Sequence, residues 1–439
     1  MDEKQIPSTD TSPEPSEGAT VFFSTGELMA DITGEINKQE ADPLDAAQEL
    51  PSLFPEEEKP QSERSPVPAT IVQRPKKKKK RIIWAVLRVL GKLVLGLVLA
   101  AAVLAAGLVG YLTVTEYTPA YAELAQRGSN SSDVKVAETS LRLVTFNTGY
   151  GALGEEADFF MDGGTGVNPA SQETVEGNMI GIERILNRVD ADLILLQEVD
   201  ADSDRSFHLN QWLQYEYDLM DNEYESRFAL NYSCNYVPYP LQERIGEVHS
   251  GIATYSRFDI SSATRYSLPC PFKWPVRAAN LKRCMLVTRI PMEDKEQELV
   301  VINFHLEAYD DGEGKEAQFR QLMEFIEAEY AKGNYVIAGG DFNQSFPGAE
   351  DTYPVKDESL WMPGLLEELP EGWQYAYDDA TPTCRLLNQP YDPSSEATQY
   401  YVIDGFIVSP NVTVDKVETL DEDFLYSDHN PVVLDITLN

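Results

Sequence analysis

Apolar residues along this chain fall into three regimes. Up to residue 74 they are scattered among Pro, Ser, Glu and Asp with no period. From Leu93 to Val114, 22 residues run without a formal charge. From Leu141 onward, short apolar runs alternate with amphipathic ones. The run Leu141–Asn147 alternates like a strand. Val175, Met179, Ile182, Leu186 and Val189 recur at spacings of four and three, one face of a helix, with Ser171 as its N-cap. Asp192–Val199 reads as a buried strand, so this part opens strand–helix–strand. Leu299–His305 predicts a further strand. Phe319, Leu322, Met323, Ile326 and Tyr330 mark a helix that Gly333 stops. Strands are expected again at Tyr335–Ala338, Tyr400–Ile403 and Val432–Ile436. The alternation predicts an α/β domain.

At 1.5 Å per residue, a helix over 93–114 spans about 33 Å, enough for a bilayer core. Charged residues are absent from every face, which sets it apart from a core helix. About 80 residues precede it, whereas a cleaved signal peptide begins close to the N-terminus. Charge then fixes the expected orientation. Residues 75–92 carry eight bases and no acid, whereas Arg127 is the only base in the twenty residues after Val114. This asymmetry places the N-terminus in the cytoplasm and the rest outside. The basic run also suits anionic lipid on the inner leaflet. The expected organisation is a disordered acidic tail (1–74), a basic juxtamembrane segment (75–92), a transmembrane helix (93–114), a linker (115–140) and a folded domain (141–439). The linker reading rests on Gly128-Ser129-Asn130-Ser131-Ser132.

The formal net charge is −38. Such acidity argues against broad electrostatic grip on a polyanion, though not against a nuclease held to its substrate by a metal. Cys234, Cys270, Cys284 and Cys384 all lie in the outer domain, where both disulfides and buried thiols are open readings. With no Cys-x-x-Cys, a thiolate metal site is not suggested.

The chemistry gathers at strand ends. Asn147, Glu198, His305, Asp341-Phe342-Asn343, Asp404 and Asp428-His429 each close or border an apolar strand. Taken singly, Asp or Asn after a strand is turn chemistry. Taken together, carboxylates, amides and histidines at six strand ends are what a divalent-metal phosphoryl site needs. Hard oxygen ligands hold Mg²⁺, the metal offsets charge on phosphate oxygens, and a base activates water.

In that order, Asn147, Gln197-Glu198, Asn303-His305, Gly340-Asp341-Phe342-Asn343, Asp404 and Ser427-Asp428-His429 resemble the endonuclease/exonuclease/phosphatase superfamily. The resemblance covers essentially 141–439 and extends to membrane-anchored bacterial members. It implies a four-layer α-β-β-α sandwich of the deoxyribonuclease I type and phosphoester hydrolysis with Mg²⁺, or Mn²⁺, as cofactor. It also implies roles. Glu198 is the main metal ligand, with Asn147 and Asp428 completing the shell. His429 is general base or stabilises the phosphoryl group, with Asp404 fixing its ring. Asp341 orients or deprotonates the water, Asn343 holds a phosphate oxygen, and His305 donates to a phosphate oxygen or to the leaving group.

Other residues stand outside these motifs. Arg205 is read either as a planar fork on substrate phosphate or as an ion pair with nearby acids. Phe272–Arg277 with Asn280–Arg283 is the densest basic-aromatic segment, a substrate rim or an ordinary hairpin. The loop Asp162–Gly166 is a cap over the site or a surface turn. His208 and His249 are taken as structural or surface residues. The expected activity is a membrane-anchored, extracytoplasmic phosphodiesterase acting on nucleic acid by in-line attack of water. A lipid headgroup or small phosphoester is the alternative substrate, and a non-catalytic binding module the alternative class.

Overall fold

The computed structural model describes residues 77–129, 139–219, 223–293, 295–310 and 312–439, with side chains from residue 81. The tail expected to be disordered and the centre of the Gly/Ser segment lie outside the described residues. Two units are distinguished, with the boundary between Tyr111 and Leu112. The first holds most of helix α1 (Lys77–Val114), in which Arg81–Val114 is long and apolar enough to cross a membrane. Its large apolar side chains, Leu93 to Leu104 among them, are exposed.

The second unit is a sandwich of two seven-stranded sheets. In the first, the order is β1 (Ala122–Leu124), β7 (Ser262–Ser267), β8 (Cys284–Pro291), β9 (Glu298–His305), β10 (Tyr335–Asp341), β16 (Asp404–Val408) and β13 (Gln374–Ala376). The second runs β17 (Val412–Thr419), β18 (Val432–Leu438), β3 (Ser140–Asn147), β4 (Leu193–Asp200), β6 (Gly246–Ser256), β5 (Glu225–Val237) and β2 (Gln126–Arg127). Leu143, Leu193 and Leu195 of one sheet pack on Leu299, Val301 and Ile337 of the other, forming the inner layer. Helix α2 (Gln172–Val189) and α3 (Gln211–Asp218) cover the outer face of the second sheet through Val175, Met179, Ile182, Leu186 and Trp212. Helix α4 (Glu313–Tyr330) covers the first through Phe319, Leu322 and Ile326. The four expected layers are therefore present.

The helix signals hold in detail. Ser171 Oγ accepts from Thr174 N at 3.2 Å, and all five periodic apolar residues of α2 are buried. Elsewhere the chain departs from the expected pattern. Tyr400–Ile403 is not one strand. A two-residue strand, Tyr400–Tyr401, is followed by β16, which begins at Asp404 and runs antiparallel to β10. Asp404 thus starts a strand at the end where Asp341 finishes one. The segment read as linker also takes on structure at its N-terminal half. β1 pairs with β7 at the edge of the first sheet, and β2 with β5 at the edge of the second. Backbone pairing depends little on side-chain type, so polar residues conceal it. All four cysteines are free thiols, with Cys234, Cys284 and Cys384 buried.

The central parallel pairs β3–β4 and β9–β10 direct their C-terminal ends to one end of the sandwich. There, Gly340 allows a close approach: a Cβ on it would sit 2.0 Å from Phe304 O of the neighbouring strand. Gly340→Ala is therefore expected to destabilise the domain by about 3 kcal/mol through overpacking. Urea unfolding followed by circular dichroism measures it, and an unchanged midpoint would contradict the close packing.

Candidate active site

Asn147, Glu198, His305 and Asp341 arrive on the C-terminal ends of β3, β4, β9 and β10. Ladder pairing sets Asn147 beside Gln197 and Asp341 beside both His305 and Asp404. Beneath them, Gln197 Nε2 donates to Asn303 Oδ1 at 2.9 Å, and Asn303 Nδ2 donates to the carbonyls of Leu196 and Ala253. These fully buried amides cross from one sheet to the other and fix their spacing.

Glu198 is aimed by backbone irregularity. The β4–β6 register breaks between Leu196 and Val199, and Glu198 has φ 54°. A bulge with a left-handed residue re-aims a side chain that a regular pleat would send elsewhere. Asn343, with φ 51°, is similar: its N–H donates to Asp341 Oδ1 at 2.8 Å and its Nδ2 to Leu306 O at 3.0 Å. Gly149, with φ 51°, lets the chain after Asn147 pass close to Asp428, whose Oδ1 would lie 3.0 Å from a Cβ there.

The polar groups converge tightly. Asn147 Nδ2 donates to Asp341 Oδ2 at 3.0 Å and lies 3.4 Å from Glu198 Oε1. His305 Nε2 is 3.3 Å from Asp341 Oδ2, and its Nδ1 is 4.0 Å from Glu198 Oε1. His429 Nδ1 is 2.8 Å from Asp404 Oδ2. With that nitrogen protonated toward the carboxylate, Nε2 faces Asp341 Oδ2 at 3.8 Å and Asp428 Oδ2 at 3.9 Å. Ser427 Oγ donates to the Asn147 carbonyl, tying the Asp428-His429 turn to β3.

Burial and mutual repulsion perturb these groups. Desolvation, with the neighbouring Asp404 charge, pushes Asp341 up to about 7. Desolvation also pushes Asp428 up to about 7, with Glu198 adding to it and His429 opposing it. Burial disfavours the His429 imidazolium, but Asp404, Cys384 and Asp428 outweigh it and hold its pKa well above the ordinary value. Burial, helped by Arg283 and His429, keeps His305 well below its ordinary value and neutral.

A divalent cation fits this donor set. Asp341, Asp404 and His429 offer ligand atoms within 4.8 Å of one another, as do Cys384, Asp428 and His429. Asp404 Oδ1 and His305 Nδ1 are buried without a hydrogen-bond partner. Carboxyls driven toward neutrality chiefly by burial are groups that a cation would return to the charged form.

Eight of the nine singled-out residues gather here. Arg205 is engaged elsewhere. It forms a two-pronged pair with Asp200, at 3.1 and 2.9 Å, and its guanidinium lies 3.6 Å from the Tyr150 ring centroid. The ion-pair reading fits this geometry. His208 sits at the surface with Asp202, and His249 bonds Ser233 and Glu247. Asp162 belongs near the site although the motifs pass over it. It is buried, accepts from Tyr309 OH at 2.9 Å, and is pushed up to about 6 by desolvation. The Gly-rich loop around it hinted at a cap, but Tyr309 carried no pattern of its own. Cys384, read from the sequence only as one of four cysteines, is bridged in backbone to His429.

Comparison with known proteins agrees with this geometry. The family model described as Endonuclease/Exonuclease/phosphatase family matches residues 144–429, more than half of the chain. A crystal structure of an endonuclease/exonuclease/phosphatase from Beutenbergia cavernae has TM-score 0.50 and 18% identity, covering 69% of this chain and 72% of that one. The human nocturnin catalytic domain with bound sulfate gives 0.44 and 18%, over 69% and 96%. TDP2 from Caenorhabditis elegans gives 0.42 and 16%, over 68% and 74%. At 18% identity, the likeness to the Beutenbergia cavernae structure is one of fold alone. No curated protein matches the chain by sequence. The chain belongs to the endonuclease/exonuclease/phosphatase family of phosphoester hydrolases.

Proposed function

We propose that the protein is a membrane-anchored, extracytoplasmic phosphodiesterase that uses Mg²⁺, or Mn²⁺, and attacks its substrate in line with water. The observation that carries this reading is the convergence of Asn147, Glu198, Asp341, Asp404, Asp428 and two histidines within direct hydrogen-bond or near ion-pair distance. Glu198, Asn147 and Asp428 would hold the metal. When bound, it would offset charge growing on the phosphoryl oxygens.

The protein's own groups divide the remaining work. Asp341, with a pKa near neutrality, accepts the proton of the attacking water. His429, held protonated by Asp404, presents Nε2–H to a phosphoryl oxygen. His305, neutral and beside Asp341, donates to a further oxygen or to the leaving group. Asn343, fixed through Leu306 and Asp341, keeps one amide hydrogen for phosphate. Nucleic acid is the first substrate reading for such a diesterase. A lipid headgroup is the second, favoured by the way the chain after Thr113 attaches beside the catalytic end.

Hydrolysis of a phosphodiester by the detergent-solubilised full chain should require Mg²⁺ or Mn²⁺. Full turnover in excess chelator would sink the metal assignment. His429→Ala and Asp341→Asn should each lower kcat by about 10²- to 10⁴-fold with the circular dichroism spectrum unchanged. Near-wild-type turnover in either variant would remove that residue from the mechanism.

Carboxyls with pKa values about 7 must lose their protons when a cation binds. Mg²⁺ added to metal-free protein at pH 6 should release about one to two protons, fading above pH 8, so apparent affinity weakens as pH falls. Titration calorimetry in buffers of different ionisation enthalpy measures this, and a pH-independent heat would contradict it. For orientation, protease added to intact cells should reach the C-terminal domain and spare the N-terminal tail; the reverse pattern would overturn it.

A further inference from the structure

The connection between β7 and β8 (residues 268–283) leaves the first sheet at the catalytic end. Ser267 pairs with Cys284, and Met285 pairs with Phe304, the neighbour of His305. At about 4.8 Å per strand, β7 lies roughly 10 Å to the side of β9. The connection is also tied to the loop that follows His305. Gln318 Nε2 donates to Pro269 O while its Oε1 accepts from Glu307 N, and Arg283 Nε is 3.9 Å from Glu307 Oε2.

On its outer side, this connection meets Thr113 and the short stretch that follows it. Trp274 Nε1 donates to Thr113 Oγ1 at 2.9 Å. Arg277 forms two contacts with Glu116, at 2.8 and 3.3 Å, and Lys282 Nζ lies 3.5 Å from the same carboxylate. Ser267 then binds the carbonyls of Tyr121 and Ala120, just before β1 pairs with β7. The chain that leaves the apolar run is thus fastened within a few residues to the catalytic end of the sandwich.

We propose that the tip Phe272–Arg277, with Tyr121, seats in the headgroup layer of the leaflet from which the chain leaves the apolar run at Val114. The occupant is that bilayer surface. Trp274 is 55% exposed and Tyr121 63%, although each is held through a hydrogen bond of its own or its backbone. Amphipathic rings of this kind favour the interface between lipid tails and water. Lys273 is exposed beside Trp274 and supplies a cation for lipid phosphate. This segment is the densest basic stretch of an otherwise acidic domain, so the domain meets an anionic surface here at least cost. Because the base of the connection that carries the tip, at Pro269 and Arg283, is tied to the loop after His305, the active site opens toward the same leaflet, and the phosphodiester it meets first is a headgroup. The proposal deepens the reading of a membrane-anchored phosphodiesterase and rests on it.

The test uses the full chain in lipid nanodiscs. Trp84 lies in the helix, so the comparison is made in a Trp84→Phe background. Lipids spin-labelled at the headgroup should quench part of the remaining emission, and that part should vanish in Trp84→Phe/Trp274→Phe. Equal quenching in the two variants would overturn the interfacial tip while leaving the hydrolase reading intact. Failure of the discs to retain the full chain would overturn the anchor and this proposal with it. A chain that is retained and quenched through Trp274 yet hydrolyses no phosphodiester would keep the docking surface and sink the enzymatic reading alone.

Discussion

Two buried amides hold the catalytic end together. Gln197 reaches from the second sheet to Asn303 of the first, and Asn303 returns two hydrogen bonds to backbone carbonyls of β4 and β6. Buried polar groups of this kind are costly unless fully satisfied, and the satisfied arrangement tolerates one register. That register places Glu198, one residue past Gln197, opposite His305, two residues past Asn303. If β4 or β9 slipped by one residue in its own ladder, its side chains would turn to the wrong face. The site is therefore an outcome of sheet packing rather than of loops folding over a scaffold.

The same packing forces like charges together. Asp341 and Asp404 are direct ladder partners, a placement that would destabilise a sheet if both carried charge unrelieved. His429 relieves it by lying between them, 2.8 Å from Asp404 and 3.8 Å from Asp341. The arrangement holds one proton on the imidazole and drives another onto the Asp341–Asp428 side. A centre so loaded has its acid and its base separated by environment alone, since the carboxyls differ only in what surrounds them.

Much of this could be read along the chain. Apolar runs ending in Asn147, Glu198, His305 and Asp341 announced four strand ends, because a buried strand writes itself as a continuous hydrophobic segment. The direction of β16 did not show, since a short run reads the same toward either end. Asp162 and Tyr309 were also hidden: their meeting joins residues far apart in sequence through loops without periodicity. The strands at Ala122–Leu124 and Gln126–Arg127 were concealed for a related reason. Polar composition suggested a linker, whereas what fixes that segment is backbone pairing with edge strands over a hundred residues away.

Those two short strands also do something for solubility. An open sheet edge is a template for pairing with another chain, and proteins keep such edges short or covered. Here β1 closes one side of the first sheet and β2 the matching side of the second, with three and two residues respectively. One stretch of chain therefore covers one edge of each sheet. Stripping it away would lay bare β7 and β5, so the segment that leads into the domain doubles as its guard against self-association.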